Sequence, residues 1–199
     1  MRFSDVEITE LMKAWFAISL AFTIVWRGLP LPLWAVYLIA AITVGVAFLL
    51  HEIAHKFVAQ RFGCWAEFRG FDLGLILAVL MSFVGFIFAA PGAVVISGLV
   101  TRDENGKIAA AGPVTNLILA SFFFVFNFAL LAFLGDYLSL TVVGIASLIC
   151  QVGFSINSWL AFFNLIPFGP LDGVKILNWS KRIWFVLIVL AGAMTFLIG

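Results

Sequence analysis

Apolar residues run almost unbroken over long parts of this chain, and short breaker-rich or charged connections separate the runs. Leu33 to Leu50 holds eighteen residues without a charge. Comparable runs cover about Leu11 to Trp26, Leu73 to Ala90, Gly112 to Leu134, Leu138 to Phe168 and Ile183 to Ile198. A helix needs about 20 such residues to cross a hydrocarbon core about 30 Å thick. The pattern therefore predicts an all-α polytopic membrane protein with about five full transmembrane helices.

The connections carry their own signals. Arg27-Gly28-Leu29-Pro30-Leu31-Pro32 ends the first span, and Cys64 to Asp72 alternates as a strand does. Ala93 to Thr101 is rich in Val and Ile, and Asn105-Gly106 before Ile108 reads as a hairpin turn. These features add a membrane re-entrant helix/β-hairpin element to the expected fold.

Composition narrows the class further. Hydrophobic residues make up 64% and charged residues 11% of the chain, with mean hydropathy +1.19. This lies outside the range of soluble domains. The expected domain is a single membrane-embedded unit over residues 1–199, multi-pass in the cell membrane. A net charge of +1 provides no basic surface for nucleic acid, so the bilayer is the expected environment. Cys64 and Cys150 read as packing residues rather than a disulfide framework. The segment Met1 to Glu10 is too acidic for the n-region of a secretory signal.

The basic residues arbitrate topology. If Leu73 to Lys107 dips into the membrane and returns, Arg2, Lys13, Lys56, Arg61, Arg69, Arg102, Lys107, Lys175, Lys181 and Arg182 share one side, opposite Arg27 alone. A full crossing would divide them almost evenly. The positive-inside rule favours the return and places the N-terminus on the cytoplasmic side, with Lys56 and Arg61 marking that face.

Chemistry concentrates in His51-Glu52-Ile53-Ala54-His55, which holds both histidines of the chain. Four residues apart on a helix, His51 and His55 share a face and can present two imidazoles to one metal ion. Glu52 projects beside them, suited to act as general base on a metal-bound water. A catalytic zinc usually takes three protein ligands. By position the third is Asp172, in Gly169-Pro170-Leu171-Asp172-Gly173; the competing role for Asp172 is to cap that turn.

The H-E-x-x-H helix, Asn164-Leu165-Ile166-Pro167, Leu171-Asp172-Gly173 and Gly112-Pro113-Val114-Thr115-Asn116 together resemble the site-2 protease family of intramembrane zinc metalloproteases. The resemblance covers a core of about 33–177, flanked by spans at about 11–26 and 183–198. It implies one Zn2+ per chain held by His51, His55 and Asp172, with Glu52 activating water. It also implies that Asn164 positions substrate or stabilises the oxyanion. The family commonly shows L-D-G-G, and Val174 replaces the second glycine here.

The implied activity is hydrolysis of peptide bonds in transmembrane protein substrates near the cytoplasmic face. Val94, Val95, Ile96 and Ser97 are expected to offer an unpaired strand edge to an unwound substrate; a hairpin pairing only with itself is the alternative. For Asn116, substrate contact competes with a structural role at a helix start, and for Asn164 the alternative is to satisfy backbone near Pro167. A non-catalytic membrane-protein-binding relative or a small metal-binding transporter is the alternative function.

Overall fold

The computed structural model describes residues 2–87, 91–135 and 137–198. Asp136 and the end of the Leu73 to Ala90 run lie outside the described residues. Five helices are long and apolar enough to cross a membrane: α1 (Asp5–Val25), α2 (Leu33–Arg61), α4 (Arg102–Leu134), α5 (Leu140–Leu165) and α7 (Lys181–Ile198). Two shorter helices, α3 (Asp72–Ser82) and α6 (Asp172–Trp179), and strands β1 (Trp65–Gly70) and β2 (Gly92–Ser97) complete the described elements. The chain forms two compact units, Met1–Glu104 and Asn105–Gly199.

In the first unit, α1 starts earlier than its apolar run suggests. Ser4 caps it by accepting from the Glu7 N–H at 3.1 Å, so Glu7 and Glu10 lie within the helix. In α2 a π-helical turn at Ala41–Gly45 interrupts the α-helix shortly before the histidines. Such turns displace carbonyls from their regular partners. The Trp15 indole of α1 donates to the Ala41 carbonyl at 3.1 Å, and the missing side chain of Gly45 leaves room for that ring.

Strands β1 and β2 pair antiparallel, Trp65 opposite Ser97 through Gly70 opposite Gly92. Helix α3 is an excursion between them. Its 11 residues rise about 16 Å, roughly half a hydrocarbon core. The excursion closes on itself, since the Phe71 N–H donates to the Pro91 carbonyl at 3.0 Å. It is tied to α1 and to the turn that follows α1: Lys13 pairs with Asp72 at 2.9 Å, and Arg27 donates to the Phe83 carbonyl at 3.5 Å. This is the re-entrant element, with both ends at the strand pair.

One expectation fails here. Asn105-Gly106 is not a hairpin turn; it lies in the first turns of α4, and the partner of β2 is β1. The cause is a capping box at Thr101-Arg102-Asp103-Glu104. Thr101 Oγ1 accepts from the Glu104 N–H at 3.2 Å, while Glu104 Oε2 accepts from the Thr101 N–H at 2.8 Å. This starts the helix ten residues before Gly112-Pro113, so Pro113 sits inside it rather than at its beginning. Gly106 serves packing: a Cβ there would strike the Trp179 side chain.

The second unit packs α4, α5, α6 and α7 around Leu117, Ala120, Phe154, Ala161, Leu165, Ile176 and Ala191. Alanines at these contacts let helices approach closely, the usual basis of helix association in lipid. Phe122, Phe124, Phe126 and Phe128 point outward as expected of lipid-facing positions. Cys64 and Cys150 are buried free thiols.

Candidate metal centre

His51 and His55 stand one turn apart on α2, both buried. Their Nε2 atoms lie 3.0 Å apart, with the rings at 82° to one another. A tetrahedral ion with Zn–N bonds of about 2.0–2.1 Å would hold two nitrogens about 3.3 Å apart. The pair therefore already has nearly the spacing a zinc ion requires.

Glu52 is buried beside them and accepts from the Val94 N–H at 3.2 Å. This bond fixes the orientation of the strand pair. Val94 is directly opposite Phe68, and the Phe68 N–H donates to Glu7 Oε1 at 2.9 Å. In an antiparallel pair, residues opposite one another either bond each other or both turn their amides outward. Phe68 and Val94 do the latter, so Glu7 lies at the outer edge of β1 and Glu52 at the outer edge of β2. By the same alternation, the amides of Gly92 and Ile96 share the β2 edge with Val94, and those of Val95 and Ser97 face β1.

Lys56, one residue after His55, is not an exposed marker of a membrane face. It is 2% exposed and paired with Glu7, which is 0% exposed. Its ammonium also lies 4.4 Å from the centre of the Phe3 ring. Sequence reading missed Glu7 and this pairing, because Glu7 stands among the acidic residues ahead of the first apolar run and offers no spacing signal.

In the second unit, Asp172 is the first residue of α6 and is buried, with Lys175 Nζ 3.7 Å away. Leu171 occupies the N-cap position and makes no side-chain capping bond. Gly173 permits a close packing that no side chain would allow, since a Cβ there would collide with the Leu165 and Ile166 carbonyls at the end of α5. Val174, in contrast, is half-buried within α6, and the positive φ of the preceding turn belongs to Gly169. The departure from L-D-G-G thus falls where the backbone makes no demand for glycine.

Asn164 is half-buried and donates to the Leu160 carbonyl at 2.9 Å. Asn116 is fully buried and donates to Asn157 Oδ1 at 2.9 Å; Asn157 in turn donates to the Gly153 carbonyl at 2.8 Å. Asn157 was not among the expected residues. An amide within an apolar span was the available signal.

His51 and His55 are two buried imidazoles of the first unit, and Asp172 is a buried carboxylate of the second. Two imidazoles and a carboxylate are a donor set that zinc accepts. The comparison with known proteins agrees: residues 39–184 match the model of Peptidase family M50. The chain belongs to peptidase family M50, the site-2 protease family.

Two relatives of this M50 chain bear on it. It is 42% identical over 188 residues to "Putative zinc metalloprotease MJ0611" of Methanocaldococcus jannaschii, covering 94% of this chain and 91% of that protein. It is 31% identical over 146 residues to "Putative zinc metalloprotease YwhC" of Bacillus subtilis, covering 69% of this chain and 66% of that one. No solved structure gives a significant match. Family and apolar helices together make this M50 chain a multi-pass membrane metalloprotease with zinc as its cofactor.

Proposed function

We propose that the chain is an intramembrane endopeptidase that hydrolyses peptide bonds within transmembrane segments of other proteins. The observation that carries this reading is the contact between the Glu52 carboxylate and the outer-edge amide of β2. It brings the candidate general base to the place where an extended peptide would add to the strand.

On this reading His51, His55 and Asp172 hold one zinc ion. Bound zinc supplies an acidified water, with pKa lowered toward about 7, and polarisation of the scissile carbonyl. Glu52 would accept a proton at its carboxylate from the attacking water and return it to the leaving amine. A substrate helix must first be unwound, and the outer edge of β2 along Gly92, Val94 and Ile96 offers main-chain hydrogen bonds in exchange for those lost. The amides of Gly92 and Ile96 lie on the same edge on either side of Val94, whose own amide is held by Glu52. Val95 and Ser97 would contribute through their exposed side chains on one face. Asn164 keeps one amide hydrogen beyond its bond to Leu160, which suits it to the oxyanion or the substrate backbone. Asn116, fully buried and bonded to Asn157, is suited to joining helices rather than to touching substrate.

The distribution of basic residues along the chain, nine against Arg27 alone once buried Lys56 is set aside, supports a site open toward the cytoplasm.

The test is zinc content and cleavage in wild type, His51→Ala, Asp172→Ala and Glu52→Gln. The expected result is about one zinc in wild type and in Glu52→Gln, loss in the two ligand variants, and cleavage by wild type alone. Zinc retained in Asp172→Ala would remove that residue from the ligand set. Cleavage by Glu52→Gln at the wild-type rate would remove the base.

A further inference from the structure

The charged pair Glu7–Lys56 belongs to a closed circuit. Glu52 and Lys56 are four residues apart on α2, on one face. Glu52 accepts from Val94 on β2; Val94 stands opposite Phe68 on β1; Phe68 donates to Glu7 on α1; and Glu7 pairs with Lys56, back on α2. The two-stranded sheet is thus held at both outer edges by carboxylates, one turn apart in their attachment to the metal-binding helix.

Burying a separated ammonium and carboxylate is costly, and an apolar pair of similar volume would often be as stable or more so. Stability alone gives little reason for such a pair next to a metal ligand. What the pair supplies that leucine and methionine cannot is direction. The Glu7 carboxylate joins an ammonium on one element to an amide on another, which fixes the height of β1 along α2. Because β2 is in register with β1, the height of Val94 relative to Glu52 is fixed as well.

We propose that Glu7 and Lys56 are positioning residues that set the β2 edge against Glu52. This rests on the reading of Glu52 as the base and of β2 as the docking edge. Neither residue touches substrate.

The experiment uses the full chain, zinc-loaded, in lipid nanodiscs. Backbone hydrogen exchange is followed by mass spectrometry in wild type, Lys56→Met and the double variant Glu7→Leu/Lys56→Met. Glu10→Gln, which disturbs the surface pair of Glu10 with Lys13 instead, serves as control. Cleavage is followed with one fluorogenic transmembrane helical peptide that wild type cuts and Glu52→Gln does not.

In the double variant no unpaired charge remains but the buried Phe68 N–H loses its acceptor, so its melting temperature lies above that of Lys56→Met and below wild type. Its amides over residues 92–97 are nonetheless expected to exchange about tenfold faster or more, while exchange in α5 stays unchanged. Its kcat falls about 10- to 100-fold, as misplacement of reacting groups predicts, with KM within about threefold. The control behaves as wild type.

Wild-type exchange over 92–97 together with wild-type kcat in the double variant would overturn the proposal, leaving the pair as packing. Equal acceleration in α1, α3 and both strands would also overturn it, as general loosening. If Lys56→Met does not fold, the double variant still decides. If wild type cuts no peptide, the peptidase reading fails, and exchange over 92–97 still decides this one without it.

Discussion

Each of the two compact units buries a polar centre, and the two are built differently. The first unit encloses charges: Lys56 and Glu7 in contact, with Glu52 one helical turn along α2. The second encloses neutral amides: Asn116 donating to Asn157, and Asn157 donating to the Gly153 carbonyl. The amide pair joins two long helices, α4 and α5, both already fixed by apolar contacts. The charged pair joins α1, α2 and β1, and one of these is a strand of only six residues. Amides suffice where packing already sets the geometry. Charges appear where a small element has to be placed against a site.

This contrast sets the largest expected stability effect. Lys56→Met leaves Glu7 buried without its counter-charge, a loss of about 3–5 kcal/mol. Asn157→Leu leaves Asn116 without its acceptor in a centre of neutral groups, a loss of about 1–2 kcal/mol. Reversible unfolding in mixed micelles, read separately for each unit by single fluorescent labels, measures both. Equal losses would mean that the difference between the two centres has no energetic content.

Next in size is the start of α4. Thr101→Ala removes the hydroxyl of the capping box and is expected to cost about 1 kcal/mol. The unfolding curves would show this loss with cleavage unaffected, because the box lies four residues beyond the end of β2. A loss of cleavage without a loss of stability would instead link the cap to the strand edge and weaken the separation drawn between the two centres.

That cap also shows where the sequence was legible. Hydropathy located the five long helices because membrane length and apolar composition determine them locally. The H-E-x-x-H spacing placed both imidazoles on one helix face for the same reason. Asn105-Gly106 misled because a turn preference of two residues competes with a capping box and with packing of Gly106 against Trp179, and the second contact is 73 residues away in sequence. Lys56 misled because the positive-inside rule reads residue type and not partner, and its partner lies 49 residues earlier. The strand partner of β2 and its bond to Glu52 were equally non-local. Apart from the local capping box at Thr101–Glu104, what remained hidden was pairing between distant positions, where no periodicity leaves a trace.

The smallest expected effect tests the other side of the comparison, that centres and not bulk apolar surface determine placement. Phe68 and Phe126 are both phenylalanines in contact with another ring, Phe48 at 5.7 Å and Phe122 at 5.9 Å. Phe68 is 1% exposed and Phe126 is 47% exposed within the protein, on a helix face suited to lipid. In a bilayer, lipid tails solvate an outward ring about as well as protein does, so truncating Phe126 to leucine removes little. The expected change is within about ±0.5 kcal/mol, against about 1–3 kcal/mol for the same substitution at Phe68, where a cavity opens beside the strand pair. The same unfolding measurement reads both. A large loss at Phe126 would show that the phenylalanine-rich face is a contact surface and not a lipid surface, and the stability of the second unit would then depend on what covers it.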